Sequence, residues 1–163
     1  MNDSDRKQLV AAKQRKPQYD ELLRKWAKKK PKSLDLAMQD AHEEVFSDTD
    51  CLSCANCCKT TSPIFRDIDI ERLSKKLRVK PSDLIAKYLH LDSDGDYVLN
   101  SSPCAFLGAD NYCSVYDARP TACREYPHTD RKNFYQLSRI TSNNLLICPA
   151  VSRIIDKIPF NLK

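Results

Sequence analysis

Cys51-Leu-Ser-Cys54-Ala-Asn-Cys57-Cys58 places four thiols within eight residues, and four more follow at Cys104, Cys113, Cys123 and Cys148. No other feature constrains the chain as strongly. In an oxidising compartment an even count would read as a disulfide framework. The N-terminus Met-Asn-Asp-Ser-Asp-Arg-Lys has no apolar stretch behind its basic residues, as a secretory signal would. The expected compartment is therefore a reducing cytoplasm, where clustered cysteines serve metal or redox chemistry. No apolar run approaches the roughly 18 residues that a membrane span needs, so no membrane partner is expected.

Thiolates are soft ligands, and sets of four suit zinc, iron or an iron–sulfur cluster. Cys51, Cys54 and Cys57 have the spacing C-x2-C-x2-C. Such a loop lets thiolates converge while backbone amides turn toward sulfur. Bacterial ferredoxins combine this spacing with a distant Cys-Pro ligand, a part that Cys148-Pro149 is placed to fill. A zinc ribbon wants two C-x2-C knuckles. Cys104, Cys113 and Cys123, separated by eight and nine residues, fit a knuckle pair poorly. A radical-SAM trio needs C-x3-C-x2-C, which is absent from this chain. Adjacent residues project their side chains in different directions. Cys57 and Cys58 therefore serve different metals, or one is a ligand beside a structural or reactive thiol. Eight cysteines make two four-thiolate sites, or one site with spares.

A four-thiolate centre is anionic. Arg119 and Arg124, on either side of Cys123, would offset that charge and donate hydrogen bonds to sulfur or nearby carbonyls. The competing reading pairs them at the surface with Asp117 and Glu125. Tyr116 and Tyr126 read as packing residues. His42 and His90 are expected outside the centre, and His128 is the one histidine kept as a reserve ligand.

The fold expected is mainly α with a small β-hairpin: a compact cysteine-rich metal-binding domain, residues 51–163, behind a basic helical N-terminal arm, residues 1–50. The net charge of +5 resides in the arm, because residues 1–32 carry eleven Lys/Arg against four Asp/Glu. That basicity reads as a solvated helical face. Nucleic acid is set last among partners, since no aromatic interleaving or groove-reading motif accompanies the charge; an acidic protein partner is the alternative.

Within the arm, a helix over 4–15 should end at Pro17 and a second should run from Gln18 to Lys30 through Tyr19, Leu22, Leu23 and Trp26. A third, capped by Ser33, carries Leu34, Leu36, Ala37, Ala41 and Val45. Beyond the cysteine loop, Asp67 or Asp69 starts a helix through Ile70, Leu73 and Leu77, and Pro81 starts another with Leu84, Ile85 and Leu89. The pair reads as a packing hairpin rather than a DNA-reading helix-turn-helix. Asp94-Gly95 signals a tight turn before a strand at Tyr97–Leu99. Cys104–Leu107 and Tyr112–Tyr116 should form a hairpin around Gly108-Ala-Asp-Asn111. Arg119-Pro120 opens a short helix carrying Cys123, Tyr135–Ile140 reads as a strand, and Pro149 starts a last helix through Val151, Ile154, Ile155 and Ile158.

Taken in order, Cys51-x2-Cys54-x2-Cys57-Cys58, Pro103-Cys104-Ala-Phe-Leu107, Cys113-Ser-Val-Tyr116 and Arg119-Pro120-x2-Cys123-Arg124-x-Tyr126-Pro127 resemble the CxxCxxCC cysteine-cluster family, also called the YkgJ family, of zinc- or iron-chelating proteins. The resemblance spans residues 51–148, and the ordered series is more specific than any one motif. It implies metal chelation through the cysteines of these motifs, with Cys148 as the late cysteine. Related domains occur within flagellin lysine methylases. Three functions stay open: a metal-binding protein, an iron–sulfur electron carrier or oxidoreductase component, and an enzyme that modifies a protein side chain.

Overall fold

The computed structural model describes residues 1–159 and 162. In chain order its elements are α1 (Asp3–Lys29), α2 (Leu34–Phe46), α3 (Cys51–Cys54), α4 (Asn56–Thr60), α5 (Asp67–Leu77), α6 (Pro81–Tyr88), β1 (Leu89–Leu91), β2 (Tyr97–Leu99), a 3-10 turn at Tyr116–Ala118, α7 (Thr121–Arg124), a 3-10 turn at Phe134–Leu137, α8 (Ser138–Asn144) and α9 (Pro149–Asp156). The architecture is thus mainly helical with a two-stranded antiparallel hairpin, as the sequence leads one to expect. The chain divides into two compact units, Met1–Cys54 with Pro127–Lys163, and Ala55–Tyr126.

The first unit is helix packed on helix. Ala12, Tyr19, Leu23 and Trp26 of α1, Leu34, Met38, Ala41 and Val45 of α2, and Val151, Ile154 and Ile155 of α9 share one apolar cluster with Phe134 and Leu145. Trp26 meets Phe134 edge to face, with ring centroids 6.4 Å apart. The helices expected as an arm are therefore integral to a core built with the end of the chain.

Three local expectations need correction here. Pro17 does not break α1; it lies inside a continuous helix. It sits on the exposed face, where water takes the carbonyl that a missing N–H leaves free, while the apolar face continues past it. In α2 the buried stripe uses Met38, whereas Leu36 is 63% exposed. Tyr135–Ile140 is helical, not a strand. There the Asp35 carboxylate accepts from the Asn133 and Phe134 amides at 2.6 and 2.9 Å, a cap from a residue almost a hundred positions away.

The second unit has a smaller core of Phe65, Ile70, Leu73, Leu84, Leu89, Leu99, Phe106, Val115 and Ala118. α5 and α6 turn their apolar faces into it, as a packing hairpin should. Pro81 is the first residue of α6, where its lost N–H costs no helical bond. Gly95, at φ 82°, makes the turn that pairs Leu89 with Leu99 and Leu91 with Tyr97. Phe65 adds an isolated antiparallel bridge to Tyr97. Around Gly108 the expected hairpin shrinks to one bridge, Leu107 with Cys113. A side chain at Gly108 would be tight: a Cβ would lie 3.2 Å from the Tyr112 carbonyl oxygen and 2.5 Å from Asp110 Oδ1, a side-chain end that would have to swing away.

Candidate metal centre

The cysteine loop is two short helical turns. Asp50 Oδ1 accepts from the Leu52 and Ser53 amides and so caps α3, which carries Cys51 and Cys54. Ala55, at φ 47°, stops α3, and α4 restarts with Cys57 and Cys58. All eight cysteines are free thiols. The unit boundary falls inside the motif: Cys51, Cys54 and Cys148 belong to the first unit, and Cys57, Cys58, Cys104, Cys113 and Cys123 to the second.

In the second unit four thiols gather. The Cys104 amide donates to the Cys58 carbonyl at 2.8 Å, tying the Pro103-Cys104 segment to α4. The Leu107–Cys113 bridge brings Cys113 back, and α7 supplies Cys123. Their electrostatics register this convergence. The Cys57 thiol donates to Cys58, and with Arg119 and Lys59 nearby this outweighs burial and lowers the Cys58 thiol to about 6. Burial raises Cys123 to about 12, and repulsion from Cys58, Cys104 and Cys113 adds to it. Cys104 and Cys113 are raised for the same reasons. One thiolate therefore forms readily, and each further one is opposed by those already present.

Backbone amides face these sulfurs. The Phe106 amide donates to Cys104 Sγ at 3.4 Å, and the Leu107 and Val115 amides lie near enough to Cys104 and Cys113 to oppose the rise of their thiols. Each favours the thiolate. Arg119 opposes the accumulated negative charge at Cys58, Cys113 and Cys123. Its guanidinium lies 3.4 Å from the Tyr116 ring centroid. Of the two readings for the arginines, the structure favours charge compensation for Arg119 and carbonyl binding for Arg124, which donates to the Arg119 and Asp117 carbonyls.

In the first unit Cys148 precedes Pro149 at the start of α9. Burial pushes its thiol up to about 12, and Cys51 and Cys54 add repulsion. No capping hydrogen bond forms from its side chain, yet the Ala150 and Val151 amides stand close enough to its sulfur to oppose that rise.

The donor set fits a soft cation: reduced thiols in two groups, amides directed at sulfur, and a guanidinium beside the larger group. Among the described residues, no group of three or more His, Cys, Asp or Glu is drawn tightly enough to hold a metal ion as it stands. His42 and His90 have partners other than thiols. His42 Nδ1 is 2.7 Å from Thr129 Oγ1 and its ring packs on Phe46. His90 Nδ1 meets Asn100 Oδ1 at 3.1 Å. His128, with a left-handed backbone at φ 67°, belongs to the first unit. Sequence reasoning passed over Asp69, Arg72 and Thr121, which hold the α7 segment. Their only sequence signal was Asp69 as a helix starter.

Residues 50–142 match the family model described as "CxxCxxCC: Putative zinc- or iron-chelating domain". No curated protein and no solved structure matches the chain. No helix among the described residues is long and apolar enough to cross a membrane.

Proposed function

We propose, from the premise that this chain belongs to the CxxCxxCC family of zinc- or iron-chelating domains, that its second unit is a four-thiolate metal centre held by Cys58, Cys104, Cys113 and Cys123. Cys51, Cys54 and Cys148 are then ligands of a separate centre. The observation that carries this reading is the backbone arrangement that draws these thiols together, the Cys104 amide on the Cys58 carbonyl and the Leu107–Cys113 bridge; a cation of charge two or more would offset the repulsion among them. Bound there, the metal supplies a positive charge and four soft bonds that fasten α4, the Cys104 segment, the Cys113 turn and α7 together.

The chain's own residues prepare that step. Cys58 offers a thiolate near neutral pH, because Cys57 donates to it and Arg119 and Lys59 face it. The amides of Phe106, Leu107 and Val115 stabilise charge on Cys104 and Cys113. Cys104, Cys113 and Cys123 would each have to give up a proton to serve as thiolate ligands there. Cys57 acts as a donor to Cys58 in this account, which assigns the adjacent pair two roles.

Metal analysis and a visible spectrum of protein prepared without oxygen test the reading. Stoichiometric zinc or iron in the wild-type chain, reduced by one equivalent in a Cys58→Ser variant, is the expected result. Unchanged metal content in that variant rejects the ligand set. A brown protein whose visible absorption bleaches on reduction identifies iron–sulfur chemistry; a colourless zinc protein identifies a structural site.

A further inference from the structure

Asp69 is a charged side chain only 1% exposed, in the core of the second unit. It occupies the third position of α5, and its Oδ2 accepts from the Arg66 amide at 3.2 Å. That contact is ordinary helix capping. The other oxygen does something else. Asp69 Oδ1 accepts from the Thr121 amide and from Thr121 Oγ1, both at 3.0 Å, and from Arg72 Nη2. The same Arg72 nitrogen donates to the Arg119 carbonyl at 2.7 Å. All three long-range bonds land on one segment, Arg119 to Thr121, which ends two residues before Cys123.

Locally that segment is held by short-range bonds, among them the Arg119 amide to the Tyr116 carbonyl and the Cys123 amide to the Pro120 carbonyl. α7 is four residues long and its N-cap position is Pro120, with no side-chain cap. The Arg119 carbonyl is shared by Arg72 and Arg124. Through this segment Cys123 and the Arg119 guanidinium both reach the thiol group. A carboxylate buried this deeply is costly unless its acceptor sites are filled, and here every contact beyond the α5 cap serves the Cys123 segment or the arginine that also grips it.

We propose that Asp69 and Arg72 are positioning residues, a clamp that sets Cys123 and Arg119 for the four-thiolate centre. The proposal rests on that reading of the site. Asp69 touches no thiol; it acts by fixing the amide and hydroxyl of Thr121, two residues before Cys123. Ligands presented by a pre-set segment bind metal without first losing its freedom, and loss of such supporting contacts typically costs 10–100-fold in metal affinity, by the behaviour of other sites.

Zinc titrated into reduced, metal-free full-length chain, with each cysteine's alkylation by iodoacetamide read by mass spectrometry, tests the clamp. The variants are Asp69→Asn, Thr121→Val and Thr121→Ser. Valine keeps the shape of threonine but loses the hydroxyl, so it serves if the buried asparagine prevents folding. We expect Thr121→Val to raise the zinc concentration that protects Cys123 by about tenfold, Asp69→Asn to raise it further, and Thr121→Ser to restore it. Protection of Cys51, Cys54 and Cys148 should not move, which separates positioning from general destabilisation. In metal-free protein Cys123 should also alkylate faster in both disabling variants. Wild-type protection and wild-type alkylation at Cys123 in those variants overturn the clamp alone. If zinc protects none of the four thiols in the wild-type chain, the metal reading fails, and the metal-free alkylation rate still decides whether Asp69 orders Cys123.

Discussion

The two units solve the problem of staying folded in different ways. The first joins a 27-residue helix, α2 and α9 around Trp26, Leu23, Met38, Phe134, Val151 and Ile154, all 2% exposed or less. Its polar contacts decorate that core: Arg15 pairs with Asp156, and Lys16 and Ser142 meet Asp20. The second unit has nine buried apolar residues in its cluster, short helices and long connections, and its four gathered thiols lie on α4, on α7 and on the connections between them. Small cores of this kind are commonly completed by a metal or by disulfides. The difference teaches that the order of the first unit follows from apolar burial, whereas the second has a smaller apolar cluster to draw on.

Metal removal tests that contrast with the largest effect. Structural zinc sites contribute apparent energies of about 10–16 kcal/mol near neutral pH. Chelation is expected to expose the amides of α7 and the Cys104–Cys113 turn to hydrogen exchange, while those of α1, α2 and α9 keep their protection. Equal loss of protection in both units would break the comparison.

Core truncation comes next in size. Trp26→Ala removes the largest buried side chain of the first unit and should cost about 3–5 kcal/mol, and Leu73→Ala about 2–5 kcal/mol in the second. Thermal melts with and without added zinc separate the two. The Leu73→Ala deficit should shrink when zinc is present, because ligation stabilises the folded unit that binds it. The Trp26→Ala deficit should persist. A zinc-independent deficit in both variants would mean that the second core stands without its ligand.

Local chemistry was legible in the sequence where a single residue dictates backbone. Pro81 and Pro149 each begin a helix, Gly95 turns the hairpin, and the cysteine series points to the family. What escaped depends on residues far apart. Pro17 looked like a helix end because its exposure is set by the packing of α1, not by its neighbours in sequence. Tyr135–Ile140 has strand composition, but Asp35 caps the turn before it and tertiary context overrides a weak propensity. Leu36 and Met38 are both apolar but two positions apart, on opposite sides of a helix; the spacing Leu34, Met38, Ala41 and Val45 is the helical stripe, so this one was legible and was misassigned. Asp69 was visible as a cap and invisible as a clamp, since its partners lie about fifty residues away. The grouping of the thiols was likewise out of reach, because Cys58 and Cys123 meet through folding alone.

Acid gives the smallest and most selective test. Burial pushes the Asp69 carboxyl up, but the Thr121 and Arg66 amides and the Arg72 guanidinium more than reverse it and hold it below the usual carboxylate range. Asp20 in the first unit is lowered in the same way: burial opposes, and Lys16 and Ser142 prevail. For both groups the unfolded chain takes up a proton before the folded one does. Their contribution is present above the unfolded-state value, near 4 for a free carboxyl as an approximate figure, and is lost as pH falls through the lower folded-state value. Stability of metal-free protein should therefore decline on acidification below that range. The side chains differ in exposure, 1% for Asp69 and 33% for Asp20, and solvent screens the exposed pair. Asp69→Asn should consequently flatten the acid slope of the second unit's melt more than Asp20→Asn flattens that of the first. Metal-free protein is essential, because protonation of ligating thiols would otherwise add its own slope to the second unit. Equal flattening by the two variants would show that the Asp69 clamp, despite its burial, is no stronger than a surface pair.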